Sequence, residues 1–186
     1  MRTDDFDPLQ LRVEAFAKNE QSLAGEWPLS LFPRLLESSH AQRPLETHPN
    51  VQWQIRGESR ATRSGAPETW LHLTAKATVV LTCQRCLQGM TTQVNAQRSF
   101  RFVHGETAAA DSDAQSEEDV LALTRHLNVR ELTEDELLLE LPLVPRHEIC
   151  AEPLVQRDTG HDGSGEVPRE NPFAALAQFK GGKRPS

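Results

Sequence analysis

The chain is organised around the stretch Leu81-Thr82-Cys83-Gln84-Arg85-Cys86-Leu87. Before it, apolar and polar residues alternate from Trp70 to Leu81, and the alternation resumes after it from Met90 to Phe102. A period of two residues is typical of strands with one buried face. The pattern therefore predicts two long antiparallel strands, with the Cys-x-x-Cys sequence in the connection of their hairpin.

A Cys-x-x-Cys turn has three physical uses: half of a metal site, a redox pair, or a turn that contains thiols. A structural zinc site needs four ligands, and the later sequence offers two more in His147 and Cys150. Cys83, Cys86, His147 and Cys150 therefore form a candidate Cys₃His set for Zn²⁺. A thioredoxin-type pair needs a helix N-terminus beside its first thiolate, and the strand pattern after Cys86 offers none. The plain structural turn remains an alternative.

Composition points to one cytoplasmic domain with tails. The chain has 186 residues and three cysteines, an odd number that argues against a disulfide framework. No apolar leader and no apolar run long enough to span a membrane occur in the sequence, so we expect no membrane partner. Glycine-rich phosphate loops, Gly-x-Ser-x-Gly and His-Glu-x-x-His are absent from it as well. The sequence thus gives no reason to expect an enzyme or a small-molecule substrate.

Charge is distributed unevenly along the chain. The net charge is −7, yet residues 51–101 contain seven Lys or Arg against two acids, a local charge of +5 that leaves −12 for the remainder. The outward positions of the three predicted strands here are polar and lack carboxylates. They predict a phosphate-binding surface, although an ordinary solvated sheet face explains the pattern too. The candidate RNA-binding residues are Arg56, Lys76, Arg85, Gln93, Asn95, Arg98 and Arg101. Arg98 has the parity of the apolar side, unless a bulge intervenes.

Helices and an acidic insertion complete the predicted domain, which spans residues 1–156. Asp7-Pro8 is a helix start and predicts a helix from residue 8 to about 19, and Asn128 is the N-cap of a second helix that ends near Pro142. The acids of that second helix are expected on a solvated face. Residues 105–119 carry six acids and no base, which predicts a mobile acidic loop inserted in the sheet.

The C-terminal part is predicted to be a tether with a short helix. Residues 157–170 are polar and glycine-rich, as flexible linkers are. Residues 171–186 then form a helix with an apolar face of Phe173, Leu176 and Phe179, followed by a basic tail. We expect this helix to anchor the protein to a partner. The predicted fold class is α+β: an antiparallel sheet with helices packed on one face.

Three segments together resemble one known family. They are Thr82-Cys83-Gln84-Arg85-Cys86-Leu87, the stretch from Glu134 to His147 that reads EDELLLELPLVPRH, and Asn171-Pro172-Phe173-Ala174-Ala175-Leu176. This ordered set is similar to the YceD family, the large ribosomal RNA subunit accumulation proteins of bacteria and plastids. The resemblance implies a non-enzymatic role in synthesis, processing or stability of 23S ribosomal RNA, through binding of that RNA or of a ribosomal protein.

Two other functions remain open at this point. One is a zinc-stabilised interaction module that holds a basic ribosomal protein by the acidic helix and acidic loop. The other is a thiol redox protein that uses the Cys-x-x-Cys pair. Some relatives have a second cysteine pair in the later segment, where this chain has His147 and Cys150, so the resemblance by itself does not imply a metal site.

Overall fold

The computed structural model describes residues 6–40, 50–62, 65 and 67–150. They form an α+β fold on one five-stranded sheet, whose strands follow chain order from edge to edge. The strands are β1 (Ser22–Trp27), β2 (Val51–Arg60), β3 (Glu68–Thr82), β4 (Gly89–Val103) and β5 (Asp119–Ala122). The first four are antiparallel neighbours, whereas β5 runs parallel to the end of β4. The predicted fold class is confirmed.

The β3–β4 hairpin is confirmed with the cysteines in its connection. Its register runs without a bulge from the pair Thr82 and Gly89 to the pair Thr69 and Phe102. The connection closes tightly, because the Leu87 N–H donates to the Cys83 carbonyl at 2.8 Å. Leu87 adopts a left-handed conformation with φ of 60°, which is uncommon for a residue other than glycine and returns the chain to β4.

Four α-helices accompany the sheet: α1 (Val13–Lys18), α2 (Pro33–Glu37), α3 (Glu106–Asp113) and α4 (Val129–Leu139). A 3-10 turn, Leu29–Leu31, precedes α2. The apolar residues of α1, α2 and α4 pack with the inward residues of β2, β3 and β4. These three helices cover one face of the sheet, as predicted.

The core consists of two clusters on this covered face. In the first, Phe16 of α1 and Leu132 of α4 pack with Leu73 of β3. In the second, Leu35 of α2 and Leu137 of α4 pack with strand residues further along the hairpin. Full burial of a Phe or Leu side chain is worth about 1.5–3 kcal/mol. Because α4 contributes to both clusters, it connects the two halves of the core.

The first helix begins later than predicted. Asp7 does start a turn, since its carboxylate accepts from the Leu9 N–H at 2.8 Å. However, Leu11 forms a β-bridge with Leu127, with 2.9 Å hydrogen bonds in both directions, and the helix starts only at Val13. The prediction of one helix from residue 8 to about 19 is therefore wrong in its first half, because the Leu11 backbone bonds to Leu127 instead.

Strand β2 extends through Gly57, although glycine is a residue typical of turns. A Cβ atom at Gly57 would lie 2.7 Å from the Ala17 Cα atom. The glycine therefore permits α1 to lie directly on β2 and does not mark a chain reversal. The extension to Arg60 adds Glu58 to the side of the sheet that faces away from the helices, which matters for the charge of that side.

The acidic segment after β4 contains helix α3, so the expectation of an irregular loop is wrong for Glu106–Asp113. Three consecutive alanines, Ala108, Ala109 and Ala110, favour the helix despite the acids around them. Its end is tied to β5, because Asp113 accepts a hydrogen bond from the Val120 N–H at 2.9 Å.

Helix α4 begins where the sequence predicts. The Asn128 side chain accepts hydrogen bonds from the N–H groups of Arg130 and Glu131, which confirms it as the N-cap. The predicted linker and C-terminal helix, with Phe173, Leu176 and Phe179, lie outside the described residues. Among the helices that the structure describes, none is long and apolar enough to cross a membrane.

Candidate functional site

The three cysteines and His147 converge at the end of the β3–β4 hairpin. Their ligand atoms all lie within 4.8 Å of one another. The Cys83 Sγ and Cys150 Sγ atoms are 3.9 Å apart, and the Cys86 Sγ and His147 Nδ1 atoms are 3.4 Å apart. Cys83 and Cys86 are buried, while Cys150 is half-buried. The set predicted from spacing alone is thus brought together in space, and it could hold a metal ion.

A short strap after α4, residues 142–150, supplies the second pair of ligands. Prolines at 142 and 145 keep it from continuing the helix. The Pro145 carbonyl accepts from the Gln84 N–H at 2.8 Å, and the His147 N–H donates to the Cys83 Sγ at 3.4 Å. These bonds fasten the strap to the hairpin connection, so the ligands from both segments face each other.

Two of the distances between ligand atoms fit a tetrahedral zinc ion. With Zn–S bonds of about 2.3 Å and Zn–N bonds of about 2.0 Å, a tetrahedron has S–S edges of about 3.8 Å and S–N edges of about 3.5 Å. The observed 3.9 Å and 3.4 Å match those edges. Both distances also differ from a disulfide, whose sulfur atoms are about 2.05 Å apart. The donor set therefore suits a structural Zn²⁺ with Cys₃His ligation.

The thiols of the cluster differ in acidity. Desolvation raises the pKa of Cys83, but hydrogen bonds from the backbone N–H groups of His147, Arg85 and Cys86 outweigh it and lower that pKa to about 5. At Cys150, desolvation and the neighbouring sulfurs of Cys86 and Cys83 raise the pKa to about 11. Thiolates are the form that binds metal, and Cys83 already offers one near neutral pH.

The sheet side opposite α1, α2 and α4 is the second candidate site, called here the polar face. Register aligns its residues in rows across three strands: Gln52 with Lys76 and Asn95, Gln54 with Thr74 and Gln97, and Arg56 with His72 and Ser99. Most of these side chains are exposed. The face therefore presents rows of amide and hydroxyl groups on either side of Lys76.

Carboxylates also occupy the polar face, contrary to the prediction. Glu58 pairs with Arg56 at 3.3 Å and with Arg60 at 2.7 Å. Glu68 pairs with Arg101 at 3.5 Å. Two of the candidate phosphate ligands, Arg56 and Arg101, are thus neutralised within the sheet. Lys76 and Arg85 form no ion pair with any residue that the structure describes, and both are exposed.

A hydrogen-bonded line crosses β2, β3 and β4 at His72. The Nε2 atom of His72 lies 2.7 Å from a Glu58 oxygen, and its Nδ1 atom lies 2.8 Å from the Ser99 hydroxyl. Hydrogen bonds from Arg60 and then from His72 lower the pKa of Glu58 to about 2. Hydroxyl, imidazole and carboxylate also occur in serine hydrolases, but there the hydroxyl meets Nε2 and the carboxylate meets Nδ1. Here the line ties three strands together.

Arg98 lies on the opposite, helix-covered side of the sheet from the polar face. The β3–β4 register contains no bulge, so the even-numbered position of Arg98 in β4 places its side chain on the helix-covered side. Its guanidinium pairs with Glu136 of α4 at 3.2 Å and with Glu140, the residue after that helix, at 3.4 Å. The prediction that Arg98 shares an RNA-binding surface with Lys76 is therefore wrong, because its charge balances a helix that packs on the sheet.

The acids of α4 are not a simple solvated face. Glu134 and Glu136 are 5% and 6% exposed. Glu134 accepts from the backbone N–H groups of Arg34 and Leu35 at 2.8 Å and 3.2 Å, so it caps α2 from another helix. Desolvation raises the pKa of Glu136, against the opposing effect of Arg98. The acidic helix therefore offers less free charge to a basic partner than its sequence indicates.

Sequence reasoning missed Glu58, Ser99 and Glu134 as structural ion-pair and hydrogen-bond partners. Glu58 could have been found from its parity with Arg56, had the strand been continued past Gly57. The role of Glu134 depends on how α2 and α4 pack, and no local pattern encodes that contact.

Comparison with known proteins identifies the family of the chain. No solved structure matches the chain. The family model described as "Large ribosomal RNA subunit accumulation protein YceD" matches residues 71–180, more than half of the chain, including the hairpin and the strap. The chain therefore belongs to the YceD family of large ribosomal RNA subunit accumulation proteins.

Proposed function

We propose that the protein supports the accumulation of 23S ribosomal RNA as a non-enzymatic cytoplasmic factor that binds this RNA directly through the polar face. One observation carries the choice of surface: Lys76 stands exposed and without an ion pair among the described residues, between Gln52 and Asn95. A cation of this kind neutralises a phosphate, while neighbouring amides donate to sugar and phosphate oxygens.

The remaining candidates fall into two groups on this proposal. Arg85 in the hairpin connection is exposed and adds a second free cation beyond the end of the strands. Gln93 and Asn95 supply neutral hydrogen-bond donors beside Lys76. Arg56 and Arg101 contribute less, since a phosphate has to compete with Glu58 and Glu68 for them. The predicted contribution of Arg98 is withdrawn.

A Zn²⁺ ion on Cys83, Cys86, His147 and Cys150 is part of the proposal. Its role is structural, because all four ligand positions are taken by the protein. It would lock the strap to the hairpin at the point where the Gln84–Pro145 bond already joins them. The low pKa of Cys83 suits this role, since a preformed thiolate binds the metal with a smaller proton release.

A ribosomal protein is the second candidate partner. Large apolar side chains are exposed on the hairpin connection and the strap: Leu87 at 57%, Leu143 at 101%, Val144 at 56% and Ile149 at 88%. Apolar groups left in water at one end of a fold favour contact with another protein. Glu134 and Glu136 are buried and already pair with arginines of this chain, so the acidic helix offers little to a basic partner. We therefore place this candidate interface on the apolar strap.

Crosslinking in cells distinguishes the two partners. Ultraviolet crosslinks are sequenced for RNA and, in the same sample, chemical crosslinks are mapped for protein. We expect RNA crosslinks at residues of the polar face and the hairpin connection. Protein crosslinks on the strap without RNA crosslinks on the polar face would contradict direct RNA binding and favour a ribosomal protein as the partner.

A further inference from the structure

Most of β4 forms an outer edge of the sheet. Strand β5 pairs only with Phe100–Val103, and within the described residues no other strand lies beside the stretch from Gly89 to Ser99. This stretch is called here the β4 edge. It is eleven residues long, whereas β5 has four residues and β1, at the opposite side of the sheet, has six. It is the longest run of strand edge that the described part of the chain leaves open.

The backbone groups that point outward from the β4 edge can be assigned. The Val103 carbonyl faces away from β3, because it accepts from the Leu123 N–H at 2.7 Å on the β5 side. In an antiparallel ladder this direction alternates from residue to residue, and the β3–β4 register is continuous. After Gly89 at the start of the strand, the residues with outward N–H and C=O groups are therefore Thr91, Gln93, Asn95, Gln97 and Ser99.

From Gly89 to Gln97 this edge lacks the usual protection against pairing, and its single charged residue is Arg98 near the far end. Natural proteins shield long edges with lysine or other charges, with proline, with bulges or by making them short. From Gly89 to Gln97 the strand has no charged residue and no proline, and the register contains no bulge. Four of the five outward residues are exposed and Ser99 is half-buried. An open edge with these properties is built to receive another strand.

We propose that a second copy of this chain occupies the edge, with the two β4 strands antiparallel about a two-fold axis. The outward row consists of Thr, Gln, Asn, Gln and Ser, all of them uncharged. In an isologous pairing each residue meets one from the same row, so the row has to be compatible with itself. Neutral amides and hydroxyls complement themselves, whereas a row of like charges would repel its own copy.

The position of β5 sets the register of this pairing. Because β5 occupies the place beside Phe100, the strand of the second copy has to end by Ser99. An axis at Gln93 satisfies this limit, since Gly89 of the second copy then lies opposite Gln97 and its hairpin connection turns away. Gln93 meets its own counterpart, and Thr91 meets Asn95 of the second copy. Two five-stranded sheets then join into one of ten strands. The pairing is argued from the strand edge and does not rest on RNA binding, although Gln93 and Asn95 belong to both surfaces.

The test is the oligomeric state of the full chain by sedimentation velocity over a concentration series. We expect wild-type protein to reach twice the mass of one chain. Gln93→Lys places two like charges face to face and should weaken the association at least tenfold. Gln54→Lys, which adds the same charge to the same face on the interior strand β2, should leave the mass unchanged. Circular dichroism checks that each variant is folded.

A charge-complementation experiment separates pairing at this edge from association elsewhere. Gln93→Lys and Gln93→Glu proteins should each be monomeric alone and should form a mixed dimer when combined. A wild-type protein that stays monomeric throughout the series would overturn the proposal. So would a dimer that persists equally in Gln93→Lys and in Gln54→Lys, because its interface would lie away from the β4 edge.

Discussion

The buried carboxylate of Glu134 on α4 contacts Arg34 at both backbone and side chain. It accepts from the Arg34 N–H at 2.8 Å and pairs with the guanidinium at 3.1 Å. Helix α2 has no side-chain cap of its own, so a residue one hundred positions away supplies it. The short helix thus depends on α4 for its N-terminus, in the way that ordinary helices depend on a local cap.

Removal of that cap should destabilise the fold. Glu134→Ala leaves two N–H groups at the start of α2 without their acceptor, and we expect a loss of about 2 kcal/mol in the free energy of unfolding. Asp135→Ala is the matched control, because Asp135 pairs with the same arginine at 2.6 Å but is half exposed. Its loss should stay below about 1 kcal/mol. Equal losses in urea denaturation would show that Glu134 acts only as a surface charge.

Acid should lower the free energy of unfolding by protonating Glu58 on the polar face. Its pKa in the folded protein is about 2, below the ordinary value of 4.5. The stabilisation from Glu58 is therefore present above pH 4.5 and is lost as the pH falls toward 2. Glu58→Gln should flatten this part of the pH dependence of unfolding, whereas Glu37→Gln, at an exposed carboxylate of α2, should not. Parallel profiles for wild type and Glu58→Gln would refute the assignment.

Zinc content tests the metal proposal. Protein purified without chelator should contain one Zn²⁺ per chain by elemental analysis. Cys86→Ser and Cys150→Ser should each reduce the zinc content and the melting temperature, because each removes one ligand from a closed site. The proposal is wrong if the wild-type protein contains no zinc and unfolds cooperatively at the same temperature as Cys86→Ser. The cysteines would then be residues of an ordinary turn.

The C-terminal segment remains a prediction from sequence. The short helix predicted there would not persist alone in water, since isolated helices below about 12 residues are marginal. If Phe173, Leu176 and Phe179 bind a partner, deletion of residues 171–186 should abolish rRNA accumulation in cells and leave the melting temperature nearly unchanged. A melting temperature several degrees lower would instead make the segment part of the folded core.

The hairpin and its cysteine site were predictable because local patterns encode them. Alternation on both sides of Cys83 and Cys86 specifies two strands, and a Cys₃His set leaves few ways to complete a metal site. His147 and Cys150 meet the two hairpin cysteines as soon as the chain after α4 returns to the hairpin. The prolines of the strap, which end the helix, make that return possible.

The charges of the sheet and helices could not be predicted in the same way. Glu134 is buried because α2 and α4 pack together, and Arg98 is neutralised because α4 crosses above β4. These are long-range contacts, which hydrophobic periodicity does not report. Gly57 reads as a turn residue in sequence, but its missing Cβ accommodates Ala17 of α1, so the strand continues and adds a carboxylate to the polar face.

Direct RNA binding through Lys76 is the central claim, and its salt dependence is the most direct test. Affinity for a large-subunit rRNA transcript is measured at several salt concentrations for wild type, Lys76→Ala and Lys18→Ala, the last on an exposed lysine of α1. We expect Lys76→Ala to weaken binding and to reduce the slope of log affinity against log salt by about one, with Lys18→Ala unchanged. No binding by the wild type, or equal slopes for all three proteins, would contradict it.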